Sequence, residues 1–199
     1  MKPGALHNHN SEVASVATVL PAGLGRKRLA VRLKSLDSPQ LLRTVAGWLA
    51  RKENYQWLQF GDGRQILTPE LLKIMSQRDT HILRVYTSED ETPLGIVGLD
   101  EVNRNFKTAR IWVVAGEKSF GARGRATQAA SQMLTLAFRE LGLHAVNTWI
   151  VEHNPSIRVA QRLNFKFIGR QRQCHWIDGR AYDRLWFDLL APEHKEDEQ

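Results

Sequence analysis

The chain carries one cysteine in 199 residues, Cys174. It therefore builds no internal disulfide framework and no cysteine-rich metal site, which fits a reducing cytoplasm. No apolar run approaches the roughly 20 residues needed to cross a bilayer. The segment from Met1 to Gly25, broken by Glu12 and lacking a basic start and a continuous apolar centre, does not read as a signal peptide but as a flexible or loosely docked tail. Acidic residues are the scarcer charge, with 28 Lys and Arg against 21 Asp and Glu and a net charge of +7. The basic residues are dispersed, apart from Arg26-Lys27-Arg28 and Arg170-Gln171-Arg172, and no nucleic-acid motif accompanies them. The charge balance suits a polyphosphate ligand or an acidic partner, and neither nucleic acid nor membrane is an expected partner.

What is present suits one globular domain with a sizeable core: 42% hydrophobic residues and six Trp. Leu29 to Leu33 alternates apolar and basic residues as a first strand, and Ser38-Pro39 opens a helix through about Arg51. A second helix starts at Thr68-Pro69-Glu70 and presents Leu71, Leu72 and Met75. Two strands, His81 to Thr87 and Leu94 to Leu99, flank a hairpin loop rich in acids. Thr108 to Ala115 is a further strand, and Ala126, Ala130, Met133, Leu134, Ala137 and Leu141 recur at helical spacing before Gly142. Ala145 to Val151 reads as a strand and Pro155 to Leu163 as a short helix. Phe165 to Arg170 and Ala181 to Leu189 form a final pair around the Asp178-Gly179 turn. The predicted order is β-α-α-β-β-β-α-β-α-β-β.

Between the strand ending at Ala115 and the helix of Ala126 lies Phe120-Gly-Ala-Arg-Gly-Arg-Ala-Thr-Gln-Ala129. The first N–H groups of a helix have no intrahelical partner, and Gly121, Ala122, Gly124 and Ala126 are too small to screen them. The turn is a candidate phosphate or pyrophosphate site, or else simply a helix start. No Gly-Lys-Ser/Thr follows, which excludes a P-loop. The glycine spacing and the missing acid after the next strand argue against a dinucleotide fingerprint.

Taken jointly, these motifs resemble the GNAT superfamily of acyl-CoA-dependent N-acyltransferases over roughly residues 28–190. Gly121-Ala-Arg-Gly124-Arg-Ala126 matches the last two specified positions of that family's Gln/Arg-x-x-Gly-x-Gly/Ala turn, and Ala126-Thr-Gln-Ala129 is similar to its Ala-Thr-Glu-Ala. Asn154-Pro-Ser-Ile-Arg-Val-Ala-Gln-Arg-Leu-Asn-Phe165 resembles the Asn-x-x-Ser segment that leads to Leu-Gly-Phe, with Asn164 replacing Gly. Trp176 to Asp183 and Leu185 to Leu190 follow the branch of ribosomal-protein N-terminal alanine acetyltransferases. The resemblance implies an α/β (α+β) GNAT-type fold, a central mixed, mostly antiparallel sheet with helices on both faces, spanning 28–190 between an N-terminal tail (1–27) and a polar C-terminal tail (191–199).

It also implies a ligand, acetyl-CoA as co-substrate, with no metal. The pyrophosphate would lie on the turn from Gly121 through Ala122, Arg123, Gly124, Arg125, Ala126 and Thr127, and the pantetheine arm along Trp112, Val113 and Val114. The plain alternative for Trp112 and Val113 is core packing. Asn154 would bond the cofactor arm or the local backbone. The chemistry is attack of a neutral primary amine on the thioester carbonyl, which calls for a base for the ammonium proton and an acid for the departing thiolate. Many members place a Tyr acid where this chain has Val159-Ala160-Gln161. The alanine-acetyltransferase branch uses a serine, matched here by Ser156, which would otherwise cap a helix. Candidate bases are His175, standing where that branch has a carboxylate, and Glu101; Glu152 and His153 are rivals, and a water chain is an alternative. The acceptor is expected to be a primary amine, either a protein N-terminus or a small amine such as an amino sugar, a polyamine or an aminoglycoside, received near Tyr55, Trp57 and Phe60. A non-catalytic acyl-CoA-binding domain is the competing class. The protein is expected to be cytoplasmic, as a monomer or homodimer.

Overall fold

The computed structural model describes residues 30–59, 67–117 and 124–196. Residues 60–66 and 118–123 lie outside these ranges, as do 1–29 and 197–199. The chain runs β1 (Arg32–Ser35), α1 (Pro39–Leu49), α2 (Lys52–Tyr55), α3 (Pro69–Ser76), β2 (Ile82–Thr87), β3 (Pro93–Asn103), β4 (Thr108–Ala115), α4 (Arg125–Thr135), β5 (Ala145–Val151), α5 (Ile157–Arg162), β6 (Lys166–Ile177) and β7 (Arg180–Leu190). One seven-stranded sheet has the order β1-β2-β3-β4-β5-β7-β6. Every pairing is antiparallel except β4 with β5.

Local chemistry sets the helix starts. The Ser38 hydroxyl accepts from Leu41 N–H and the Thr68 hydroxyl from Leu71 N–H, each followed by proline at the first helical position. α1 and α3 cover one face of the sheet, packing Leu42, Val45, Trp48, Leu49 and Leu72 on Leu83, Val85, Ile96 and Val114. α4 and α5 cover the other, where Ala129, Ala130, Met133 and Leu134 meet Val97, Leu99, Ala109, Val146 and Phe187. Burying each of the Val, Leu, Ile, Met and Phe side chains among them stabilises the fold by about 1.5–3 kcal/mol.

The structure differs from the sequence-based expectation in four places. The first strand lies at 32–35 rather than 29–33, because its register is set by pairing with β2 (Arg32 with Thr87, Ser35 with Arg84). A four-residue helix, α2, follows α1; it is too short to show a period. β6 continues to Ile177 despite its Gln and Arg residues, held by the partner strand β7 across the Asp178-Gly179 turn, whose φ values are +50° and +76°. Residues 191–196 are docked: Glu193 accepts from Leu190 N–H, His194 bonds Thr135 at 2.9 Å and packs on Phe138, and Glu196 pairs with Arg139.

Candidate active site

β4 and β5 run parallel through three pairs only, Thr108 with Ala145, Ala109 with Val146 and Arg110 with Asn147. Beyond them the strands part, and the gap opens into a cavity of about 320 Å³. One wall is the β4 stretch Ile111 to Ala115 and the other is Thr148 to Ile150 of β5; Asn154, Pro155, Ser156, Val159 and Ala160 line one end, and Glu53, Asn54, Trp57 and Leu58 line another. Through Gly95 to Asp100, β3 pairs with one edge of β4. Among the described residues the other edge, from Ile111 onward, has no strand partner and offers its backbone groups to the cavity.

α4 begins beside this gap. Gly124 precedes it in the left-handed region (φ +81°), no side chain caps it, and its first turn holds no acidic residue. The first closing bond is Gln128 N–H to Gly124 C=O, at 2.9 Å. As in any first helical turn, the backbone N–H groups that precede this bond point out of the helix, and with the helix dipole behind them they favour an anion. Gly121, Ala122 and Arg123 lie outside the described residues.

Of the residues expected to meet the ligand, Trp112, Val113, Val114, Asn154 and Ser156 all line the cavity. Asn154 Oδ1 accepts from both Ser156 N–H (2.9 Å) and Ser156 Oγ–H (2.7 Å). Ser156 thus does not cap α5 with its own side chain; Asn154 does that work and orients the hydroxyl at the cavity wall.

Trp112 is fixed by three features. Its indole lies over Gly98, where a Cβ would come within 2.6 Å of the ring. Its Nε1–H donates to Asp100 Oδ1 at 2.6 Å, and the other Asp100 oxygen accepts from Arg110 at 3.2 Å. Asp100 is 4% exposed, and burial raises its pKa against the opposing bonds from Trp112 and Arg110.

The candidate bases sit elsewhere. Glu101 adopts φ +53° where the β3–β4 register breaks, its carboxylate turned outward onto Arg110 at 3.1 Å and 65% exposed. His175 is buried and does not line the cavity. Its Nε2 is 2.6 Å from the Gln56 carbonyl, which can only accept, and its Nδ1 receives N–H groups of Arg184, which can only donate. One neutral tautomer satisfies both. Burial, reinforced by Arg184, holds its pKa below the usual value. Arg184 in turn lies 4.0 Å over the Trp149 ring, so His175 braces a cavity wall from behind. Glu152 accepts from Asp183 N–H, tying β5 to β7. Sequence reasoning passed over Asp100, Trp149 and Arg184; only a correct strand alternation, with Asp100 inward and Glu101 outward, signals the first. Among the described residues no cluster of His, Cys, Asp or Glu is arranged to hold a metal ion, and no helix is long and apolar enough to cross a membrane.

Comparison with known proteins agrees with this geometry. A family profile described as an acetyltransferase (GNAT) domain matches residues 30–166. YdaF of Bacillus subtilis (strain 168), provisionally named a ribosomal N-acetyltransferase, is 30% identical over 101 residues, covering 50% of this chain and 53% of YdaF. The uncharacterized N-acetyltransferase p20 of Bacillus licheniformis is 25% identical over 111 residues, covering 55% of this chain and 62% of p20. The chain thus spans little more than half the length of these curated relatives. A spermidine N-acetyltransferase from Vibrio cholerae, solved in complex with CoA and spermine, shares the fold at a TM-score of 0.71 and 17% identity, over 83% of this chain and 97% of its own. The profile covers well over half of the sequence, and the parted strands and uncapped helix start lie within it: the chain belongs to the GNAT acetyltransferase family.

Proposed function

We propose that this protein transfers the acetyl group of acetyl-CoA to a primary amine by direct attack on the thioester. The parting of β4 from β5 beside an uncapped, acid-free helix start carries the reading. The free edge of β4 offers the backbone groups that the amides of a pantetheine arm require, and the first turn of α4 offers N–H groups to the pyrophosphate. Small residues at Gly124 and Ala126 let the phosphates approach, and Arg125 adds positive charge.

In this reading Ser156 supplies the proton to the departing thiolate. Its Oγ–H is directed by Asn154 and lies on the cavity wall. The amine enters from the side of Trp57 and Glu53. The acceptor favoured here is a protein N-terminus, on the strength of the ribosomal name of one relative and the residues from Trp176 onward. A small amine is the second reading, supported by the spermidine acetyltransferase fold match.

Thiol release from acetyl-CoA, followed across a tripeptide amide with N-terminal alanine, spermidine and glucosamine, tests the proposal. Release with at least one amine supports it. CoA binding without release from any amine overturns it in favour of a binding domain.

A further inference from the structure

Beside the main cavity, and sharing Trp57, Trp112, Thr148 and Trp149 with it, lies a small pocket of about 40 Å³. A single water needs roughly 10–15 Å³ by the same measure. The pocket therefore has room for two or three such groups, an ammonium and the carbon that bears it, and none for a sugar ring. Three of its walls are indoles, and its polar residues are Gln59, Arg110, Thr148 and Asp100 with its buried carboxylate.

We infer that this pocket receives the acceptor ammonium and that Asp100 is the base that takes its proton. The inference rests on the amine acetyltransferase reading above and deepens it. Each Asp100 oxygen accepts one hydrogen bond, Oδ1 from Trp112 and Oδ2 from Arg110, and each keeps capacity for a second. An ammonium between indoles gains from the ring faces as well as from the carboxylate. The charged groups around Asp100 are Arg110 on β4 with Glu101 beyond it, His81 at the foot of β2, and Arg184 on β7 behind Trp149, while Glu53 on α2 lines the adjoining cavity. Burial outweighs the cations among them and raises the affinity of Asp100 for a proton, as a base working near neutrality requires.

The protons balance. An ammonium R–NH₃⁺ gives one proton to the Asp100 carboxylate and becomes R–NH₂. Its lone pair forms the C–N bond while the carbonyl π pair moves to oxygen. The intermediate collapses with cleavage of the C–S bond, and the thiolate is protonated through Ser156, whose hydroxyl is restored by the proton leaving nitrogen. The products are R–NH–acetyl and CoA thiol, and Asp100 later gives its proton to solvent.

The test is Asp100→Asn, which keeps an oxygen for the Trp112 N–H, assayed with the fastest of the three amines named above. The expected result is a fall in kcat of at least 100-fold at pH 7, loss of the acid limb of the kcat profile, partial recovery above pH 9 where the amine deprotonates unaided, and partial rescue by Asp100→Glu. A folded Asp100→Asn with kcat within threefold of wild type and an unchanged acid limb overturns the inference while leaving the acetyltransferase reading intact. If Asp100→Asn does not fold, the wild-type profile decides: an acid limb in kcat at saturating amine supports the inference, and a kcat flat from pH 5 to 9 overturns it. Absence of thiol release by the wild type with every amine overturns both.

Discussion

Ser156 and Asn154 form one hydrogen-bonded unit, so their roles separate cleanly by mutation. Ser156→Ala removes the hydroxyl but leaves the backbone N–H bond to Asn154 that starts α5. We expect kcat to fall by about 100-fold or more, the scale of losing one proton-transfer group, with CoA affinity by calorimetry unchanged; weaker CoA binding with intact kcat would mark Ser156 as structural. His175 gives a stability prediction. Its folded pKa lies below its unfolded value, so the unfolded chain binds the proton more readily. The contribution is full above about pH 6.5 and is lost as pH falls below that value through the folded pKa. Melting temperature followed from pH 8 to pH 5 should decline more steeply for the wild type than for His175→Gln, and equal slopes would refute this. Residue by residue, the cavity wall was legible because small and apolar types mark it. The proposed base was not: Asp100 keeps the alternation of Ile96 and Gly98, but the irregularity at Glu101, with its positive φ, turns that acid outward and buries Val102 instead, and nothing in the letters Asp100-Glu101 announces it.

In the proposed reading, cofactor binding turns on the start of α4. Gly124→Asp sets a carboxylate beside the N–H groups meant for phosphate and keeps a residue type that tolerates the left-handed region at a cost of roughly 1–2 kcal/mol. CoA affinity should drop more than tenfold while the protein remains folded by circular dichroism; unchanged affinity would reduce the turn to a helix start. Strand and helix here were readable because period 2 and period 3.6 follow one another closely. The far end was less so. α4 passes into a π turn over Leu136–Glu140, with Leu141 N–H bonding the Leu136 carbonyl, a change of winding that a list of apolar positions does not reveal. β6 likewise hides its length behind Gln171, Arg172 and Gln173, which side-chain preference assigns to a loop and which the β7 partner holds in a bulged strand.

For the whole molecule, a ligand that bridges β4, β5 and α4 must stabilise the assembly it spans. At 100 times its Kd, CoA should add about 2.7 kcal/mol, which for a chain of this size raises Tm by roughly 5–10 °C. No shift on adding CoA would count against a site between the strands. The element order was available from sequence, whereas the parting of β4 and β5 was not. That separation depends on where a parallel pair ends, on α4 crossing between them and on α5 docking at β5, none of which is encoded within either strand.

Trp57, Trp112 and Trp149 all line the cavity, while Trp176 stands exposed and Trp48 is buried between α1, which carries it, and the sheet. Half of the protein's six indoles thus surround the cavity. The molecule carries its own optical probe: occupancy of the cleft changes the polarity and collisional access of three emitters at once, and titrations can be followed by intrinsic fluorescence with no label attached.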